Sequence, residues 1–287
     1  GIFNHLIHGI SIHLDVMKSR LQYGDYFGYG NDTTLDESLD DEDFYHSVED
    51  YFIFKPSLHF KLSKRGSGAL GIAYRRSDVA LNQSSLLAQF PLGDYGMSNY
   101  DSIELNGSLR YDSRDNAANP YRGVFFRIAA THFPKLMDNK HAFTSGEFDI
   151  RSYLRLRFIT DSTIAFRIGG SKLWGQFPFY QAAFLGGGTN LRGYNRNRFS
   201  GDAMLFGQLE LRSYLAPVFI VIPARMGLHL FADAGRVFNE NIDSDTWHSS
   251  YGGGLWLSFT KRMATAALSL AKSSEKLMVY VTLKFMF

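Results

Sequence analysis

Apolar and polar residues alternate with a period of two along almost the whole chain, in segments of about 9 to 14 residues, and no other feature limits the fold as strongly. Twelve such segments can be marked. In the clearest, Phe52, Phe54, Pro56, Leu58, Phe60 and Leu62 fall on one face, and Tyr51, Lys55, Ser57, His59 and Lys61 on the other. An earlier segment sets Ile10, Ile12, Leu14 and Val16 against Ser11, His13 and Asp15. A later one sets Phe148, Ile150, Leu154, Leu156 and Phe158 against Glu147, Asp149, Arg151, Tyr153, Arg155 and Arg157. Successive side chains of a strand point to opposite faces, so each segment reads as a strand with one apolar face. A soluble sandwich would alternate in the same way, because its apolar faces pack inward.

Three further features favour a membrane. The segments exceed the usual five or six or so residues of soluble strands and are long enough to cross a bilayer at a tilt. Connections alternate in length: short at Ser63 to Ser67, Thr160-Asp161 and Thr260 to Arg262, long from about Ser19 to Asp50, Leu81 to Asn99 and Gly175 to Asp202. Short turns on one side and long loops on the other are the outer-membrane barrel pattern. The chain also ends as an alternating stretch, Val279 to Phe287, with Phe285 and Phe287 resembling the terminal signal of such barrels. The expected fold is therefore all-β: a transmembrane antiparallel barrel of twelve strands, spanning residues 1–287 as one domain. An even strand number puts both chain ends on the periplasmic side, and closure removes edges that lipid would not tolerate.

Composition agrees. Mean hydropathy is −0.16, and barrels hide from hydropathy because lipid-facing and lumen-facing residues alternate. The longest apolar run, Val218 to Ile222, lies between Pro217 and Pro223, far short of the roughly 18 residues of a membrane helix. A net charge of +2 gives no reason to expect nucleic acid. The absence of cysteine removes disulfide and thiolate-metal chemistry.

The long loop from Gly175 carries Leu191-Arg192-Gly193-Tyr194. The next strand contains Gly207-Gln208-Leu209-Glu210-Leu211-Arg212, and the one after it Phe231-Ala232-Asp233-Ala234-Gly235. Alternation turns Glu210 and Asp233 toward the lumen, with Gln208 and Arg212 beside them. Two acids in a confined lumen raise each other's pKa unless a cation sits between them, and the planar fork of arginine suits that position. Gly186-Gly187-Gly188 and Gly193 permit the tight backbone path of a loop folded into the lumen. The trio is expected to lock that loop, which also sets the closed state of a pore.

These residues resemble the BamA-like superfamily of outer-membrane assembly and secretion barrels, the bacterial surface antigens. The matching elements are Leu191-Arg192-Gly193-Tyr194, Glu210, and Phe231-x-Asp233-x-Gly235. Asp112-Ser113-Arg114-Asp115-Asn116, followed by Pro120 and Gly123, resembles the family's periplasmic turn and strand start. The resemblance is closest in the C-terminal third and weak before about Tyr100. It implies five strands after the arginine loop, the number marked here, but sixteen in all, where seven precede the loop instead of eleven. Either the barrel is a smaller relative or four N-terminal strands are absent; the even count and regular loops favour the small barrel.

By this resemblance the expected location is the bacterial outer membrane, and the expected function is protein translocation or assembly, without covalent catalysis, cofactor or metal. Expected partners are outer-membrane lipid, lipopolysaccharide and unfolded polypeptide clients. The alternative is a membrane anchor for a separate N-terminal enzyme, a patatin-like phospholipase or a phosphoesterase. An upstream periplasmic or enzymatic domain is expected on either view.

Other candidates have plainer readings. Glu104, Arg110, Arg127, Arg151, Arg155, Arg157 and Arg167 read as a hydrated lumen lining, with a basic excess that would suit anionic or polypeptide cargo. The acidic run Asp32, Asp36, Glu37, Asp40 to Asp43, Glu49 and Asp50 reads as a solvated outer loop, though it could bridge cations at a lipopolysaccharide surface. His5, His8 and His13 lack metal-site spacing. Trp174, Trp247 and Tyr251 fit interfacial girdles. Gly186-Gly187-Gly188-Thr189-Asn190 lacks the lysine and following helix of a phosphate loop, and no Gly-x-Ser-x-Gly elbow is present.

Overall fold

The computed structural model describes residues 1–7, 9–23, 25–40, 44–80, 84–89, 99–157, 160–219, 222–240, 242–259, 262 and 264–287. His8, Asp41, Glu42, Asp43, most of the predicted 81–99 loop, Phe158 and Thr260 lie outside the described residues. Thirteen strands form one antiparallel sheet in chain order. They are β1 (Ile2–Ile7), β2 (Ile10–Tyr23), β3 (Val48–Lys61), β4 (Gly66–Ala80), β5 (Tyr100–Asp112), β6 (Gly123–Phe133), β7 (Phe143–Arg157) and β8 (Asp161–Trp174), then β11 (Ala203–Phe219), β12 (Pro223–Phe238), β13 (His248–Phe259), β14 (Ala264–Ser273) and β15 (Leu277–Thr282). Two short strands, β9 (Ala183–Leu185) and β10 (Phe199–Gly201), pair with each other inside the long loop.

The twelve expected segments are all strands, and β1 is added before the first of them. It also changes where the chain starts: Gly1 exchanges hydrogen bonds with Leu14, well inside β2, instead of sitting at the short-turn end as strand parity implied. Five sheet strands follow the arginine loop, as expected.

The alternation has the predicted consequence. Val16, Phe54, Leu58, Leu70, Leu105, Leu154, Leu209, Leu230, Leu255, Leu268 and Val279 are exposed around the sheet, an apolar outer band of the kind that faces lipid. Trp174, Trp247 and Tyr251 are exposed near the long-loop end of their strands, the girdle position. The opposite face holds the polar set. Arg151 and Arg167 converge on Asp149, and Arg155 pairs with Asp161.

Contacts across the sheet show how far it curls. At the short-turn end, the β5–β6 turn reaches β13 and the turn after it: Arg262 donates to Asp115 at 2.9 Å and to the Asn119 carbonyl at 3.2 Å. Deeper in, Phe287 at the end of the chain packs against Tyr153 of β7 and Ala165 of β8. Among the described residues, no ladder joins the edge strands β1 and β15. The inner face of β2 to β7 encloses a polar cavity of about 500 Å3, with Asp15, Lys55, Asn106, Arg110, Arg127 and Glu147 in its wall.

The end of the chain departs from expectation. The predicted strand through Phe287 stops at Thr282. Alternation would have continued Leu277, Val279 and Val281 outward through Phe285 and Phe287, yet both phenylalanines are buried on the inner side. The cause is Arg212, whose guanidinium lies 3.9 Å from the centroid of Phe285 and donates to the Phe287 main-chain oxygen at 2.9 Å. A buried guanidinium has five N–H groups to satisfy, and aromatic faces attract it. Trp256 and Ala267 complete the pocket around Phe285. These two residues therefore line the interior.

Candidate functional site

In the β11–β12 ladder Glu210 stands opposite Phe231, Gln208 opposite Asp233, and Arg212 opposite His229. All six are buried on the face opposite the exposed Leu209, Leu211, Leu228 and Leu230. The inner surface of these two strands is thus a patch of charge and aromatic rings with no access to bulk water, and any ion placed there must be matched.

Arg192 matches it. Its Nε donates to Asp233 Oδ2 at 2.7 Å, its Nη2 to Asp233 Oδ1 at 2.6 Å and its Nη1 to Glu210 Oε1 at 3.0 Å. Its own backbone N–H adds a bond of 3.1 Å to Asp233. The guanidinium carbon lies 3.5 Å from the centroid of Phe231, so the ring stacks over a face of the fork while its N–H groups donate in the plane. The second oxygen of Glu210 is held by Arg212 through Nε at 2.7 Å and Nη2 at 2.5 Å. The sequence placed Arg192 among these acids. Arg212, marked only as a neighbour, shares Glu210 with it.

The loop around Arg192 is folded to fit. Gly193 has φ +83°, a conformation unfavourable for residues with a side chain. A Cβ on Gly193 would also stand 3.1 Å from the Ser273 side chain. Its N–H donates to Tyr280 of β15, and its carbonyl accepts from the Ser273 hydroxyl of β14 at 2.6 Å. Tyr194 is buried with Leu185, Leu191, Phe199, Phe206 and Val237, and its hydroxyl meets Ser249 and Ser274. Gly235 gives room: a Cβ there would approach Leu185 of β9 to 2.8 Å. The loop is thus bonded to β11, β12, β14 and β15 together.

Sequence reasoning missed a second buried arginine of the loop itself. Arg198 is 1% exposed. Its Nε donates to both oxygens of Glu275, at 2.9 and 3.0 Å, and its two other nitrogens donate to Thr33 Oγ1 at 2.7 Å and the Thr33 carbonyl at 2.6 Å. Its partners are 77 and 165 residues away, and no local pattern marks them. His13, by contrast, stacks on His59 with ring centroids 3.7 Å apart and faces the cavity side of β2 and β3. Of the predicted lining, Arg110 pairs with Asp112 and Arg127 with Glu147, while Arg157 ends β7 in an exposed position.

Comparison with known proteins gives the lineage. No curated protein matches the chain. Among solved structures, BamA from Haemophilus ducreyi lacking POTRA domains 1–3 is similar, with a TM-score of 0.62 at 16% sequence identity. The match covers 96% of this chain and 63% of that one, so the chain spans less than two thirds of that structure. Residues 10–276 match the Omp85 superfamily domain. The chain is a β-barrel of the bacterial outer membrane and belongs to the Omp85 superfamily.

Proposed function

We propose that this barrel assembles or translocates unfolded polypeptides at the outer membrane, with its lumen kept shut by the Arg192 lock and its clients engaged at the gap between the edge strands. The observation that carries this reading is the state of those edges. β15 pairs with β14 only from Ala267 to Lys272, which leaves Ala264 to Ala266 beyond its reach. At the other edge β1 pairs with β2 alone. Unpaired backbone groups at membrane depth cost several kcal/mol each, so such edges favour any strand that can complete them. An extended client supplies that strand by adding to the sheet edge, with main-chain hydrogen bonds giving affinity whatever the client's sequence.

The inner loop serves this purpose by staying still. Arg192 holds it against β11 and β12, so the outer membrane is not breached while the edge is in use. On this reading the barrel performs no covalent chemistry, and its work is conformational. Reconstitution tests it: liposomes carrying the barrel should fold a urea-denatured client barrel faster than empty liposomes. Equal folding rates would remove the reading and favour a passive membrane anchor for another domain.

A further inference from the structure

The two edges of the sheet are treated differently at the two ends of the barrel. At the long-loop end, residues 28–33 of the β2–β3 loop reach across to β10, β12 and β13, and through Arg198 to the hairpin of the other edge. Gly30 N–H donates to the Ser200 carbonyl at 2.8 Å, the Ser200 hydroxyl donates to the Gly28 carbonyl at 2.9 Å, and the Tyr29 hydroxyl donates to Asp202 at 2.7 Å. Asn31 is 1% exposed. Its amide donates to Ser244 at 3.0 Å and to the Thr246 carbonyl at 2.7 Å, and its Oδ1 accepts from Val237 N–H at 3.1 Å. Its carbonyl accepts from His248 Nε2 at 2.8 Å. A segment rooted beside β2 is thereby tied to β10, β12, β13 and the loop between the last two.

Arg198 closes the arrangement. Its fork grips Thr33 on one side and Glu275, in the turn between β14 and β15, on the other. The guanidinium also lies 4.6 Å from the centroid of Phe199, and Phe27 flanks it at 5.4 Å. Thr33 belongs to the loop next to one edge of the sheet, and Glu275 to the hairpin that forms the other. At the short-turn end β15 has left the sheet after Thr282, and among the described residues no backbone hydrogen bond joins residues 1–7 to 277–287.

We propose that residues 28–33 form an extracellular clasp across the gap between the edge strands, closed by Arg198, so that the gap widens only from the periplasmic end. The proposal rests on the edge reading above and adds its direction. A client arriving from the periplasm meets the free end of the gap, while the clasped end keeps the outer rim sealed until the strap is displaced. The geometry suits a releasable fastening. Arginine holds Thr33 and Glu275 at once across a planar fork of three nitrogens, whereas a lysine would have to reach both from a single nitrogen without that fork geometry. Glu275 is the partner open to solvent, at 19% side-chain exposure.

Spin-label distance measurements on the barrel in liposomes test this. The chain has no cysteine, so labelled pairs can be placed without background. One pair, Thr34→Cys with Lys272→Cys, uses exposed sites at the extracellular rim; a second, Leu62→Cys with Leu283→Cys, uses exposed sites at the periplasmic end. With Arg198 intact, the rim pair should give one narrow distance peak and the periplasmic pair a broad one. Arg198→Ala should shift the rim peak to longer distance and broaden it, with Arg198→Lys intermediate. Should Arg198→Ala fail to fold, Glu275→Gln makes the same test from the exposed side. An unchanged rim peak in these variants, or a periplasmic pair as narrow as the rim pair, would overturn the clasp. Client folding is measured on the same liposomes: a rim that widens as expected in a barrel that never accelerates folding supports the clasp and counts only against the function.

Discussion

Replacing Arg192 by alanine removes three charge-assisted hydrogen bonds and one cation from a patch that water does not reach. The two acids are not affected equally. Glu210 keeps both bonds from Arg212. Asp233 keeps only the backbone N–H of residue 192, at 3.1 Å, and becomes a buried carboxylate without a cation. Removing one partner of a buried ion pair costs about 3–5 kcal/mol, chiefly through the charge left behind. Loss of the contact with Phe231 adds to this, so the expected loss lies toward the upper end of that range. Because the stranded charge dominates, Asp233→Asn should be far less harmful in the Arg192→Ala background than alone, with a coupling of about 1–3 kcal/mol in the double-mutant cycle. Reversible urea unfolding in liposomes, followed by fluorescence of the three tryptophans, measures all four proteins. A loss within about 1 kcal/mol for Arg192→Ala, the value of a solvent-exposed pair, would refute the reasoning. So would additivity of the two substitutions.

Gly235→Ala forces a methyl group toward Leu185; it should lower unfolding stability by about 1–3 kcal/mol through overpacking, and an unshifted urea midpoint would show that β9 does not press on β12. In the β5–β6 turn, burial alone would raise the Asp115 pKa, but the bond from Arg262 and the N–H groups of Tyr121 and Arg122 outweigh it and hold the carboxyl below its ordinary 3.8. A depressed folded-state pKa gives stability that is present above the unfolded value and lost as pH falls through the folded one. Hydrogen-exchange protection of the Tyr121 and Arg122 amides should therefore persist at neutral pH and decline only below pH 3.8. Asp115→Asn should weaken that protection at neutral pH, and equal protection in both proteins would contradict the assignment.

Much of the fold was legible because a bilayer enforces it. A strand with lipid on one side and a polar lumen on the other must alternate, and Phe54, Leu58, Leu154 and Leu209 declare their face without reference to any partner. β1 was not legible for the same reason: Ile2, Phe3, Leu6 and Ile7 put apolar residues on both faces, and the period is lost. Phe285 and Phe287 show where periodicity misleads. Their spacing continues the outward face, but the demand that draws them inward comes from Arg212, on a strand far away in sequence.

The site divides along the same line. Arg192, Glu210 and Asp233 could be grouped because a lumen-facing acid needs a cation, and Arg192 is the arginine set between the glycines of the nearby loop. Arg198 differs in that Thr33 and Glu275 are ordinary residues in surface loops, and only the curling of the sheet brings them to one guanidinium. Local chemistry pointed to the ion cluster of Arg192, Glu210 and Asp233 on one pair of strands. The fastening between distant ends of the sheet had no local signal.

Single-channel conductance in planar bilayers tests most directly the claim that the Arg192 loop closes the lumen. The wild-type barrel should show low, quiet conductance, and Arg192→Ala should open to a larger and more variable level as the loop leaves β11 and β12. Equal conductance for the two proteins, both correctly folded, would mean that the loop does not close the lumen and would contradict the account.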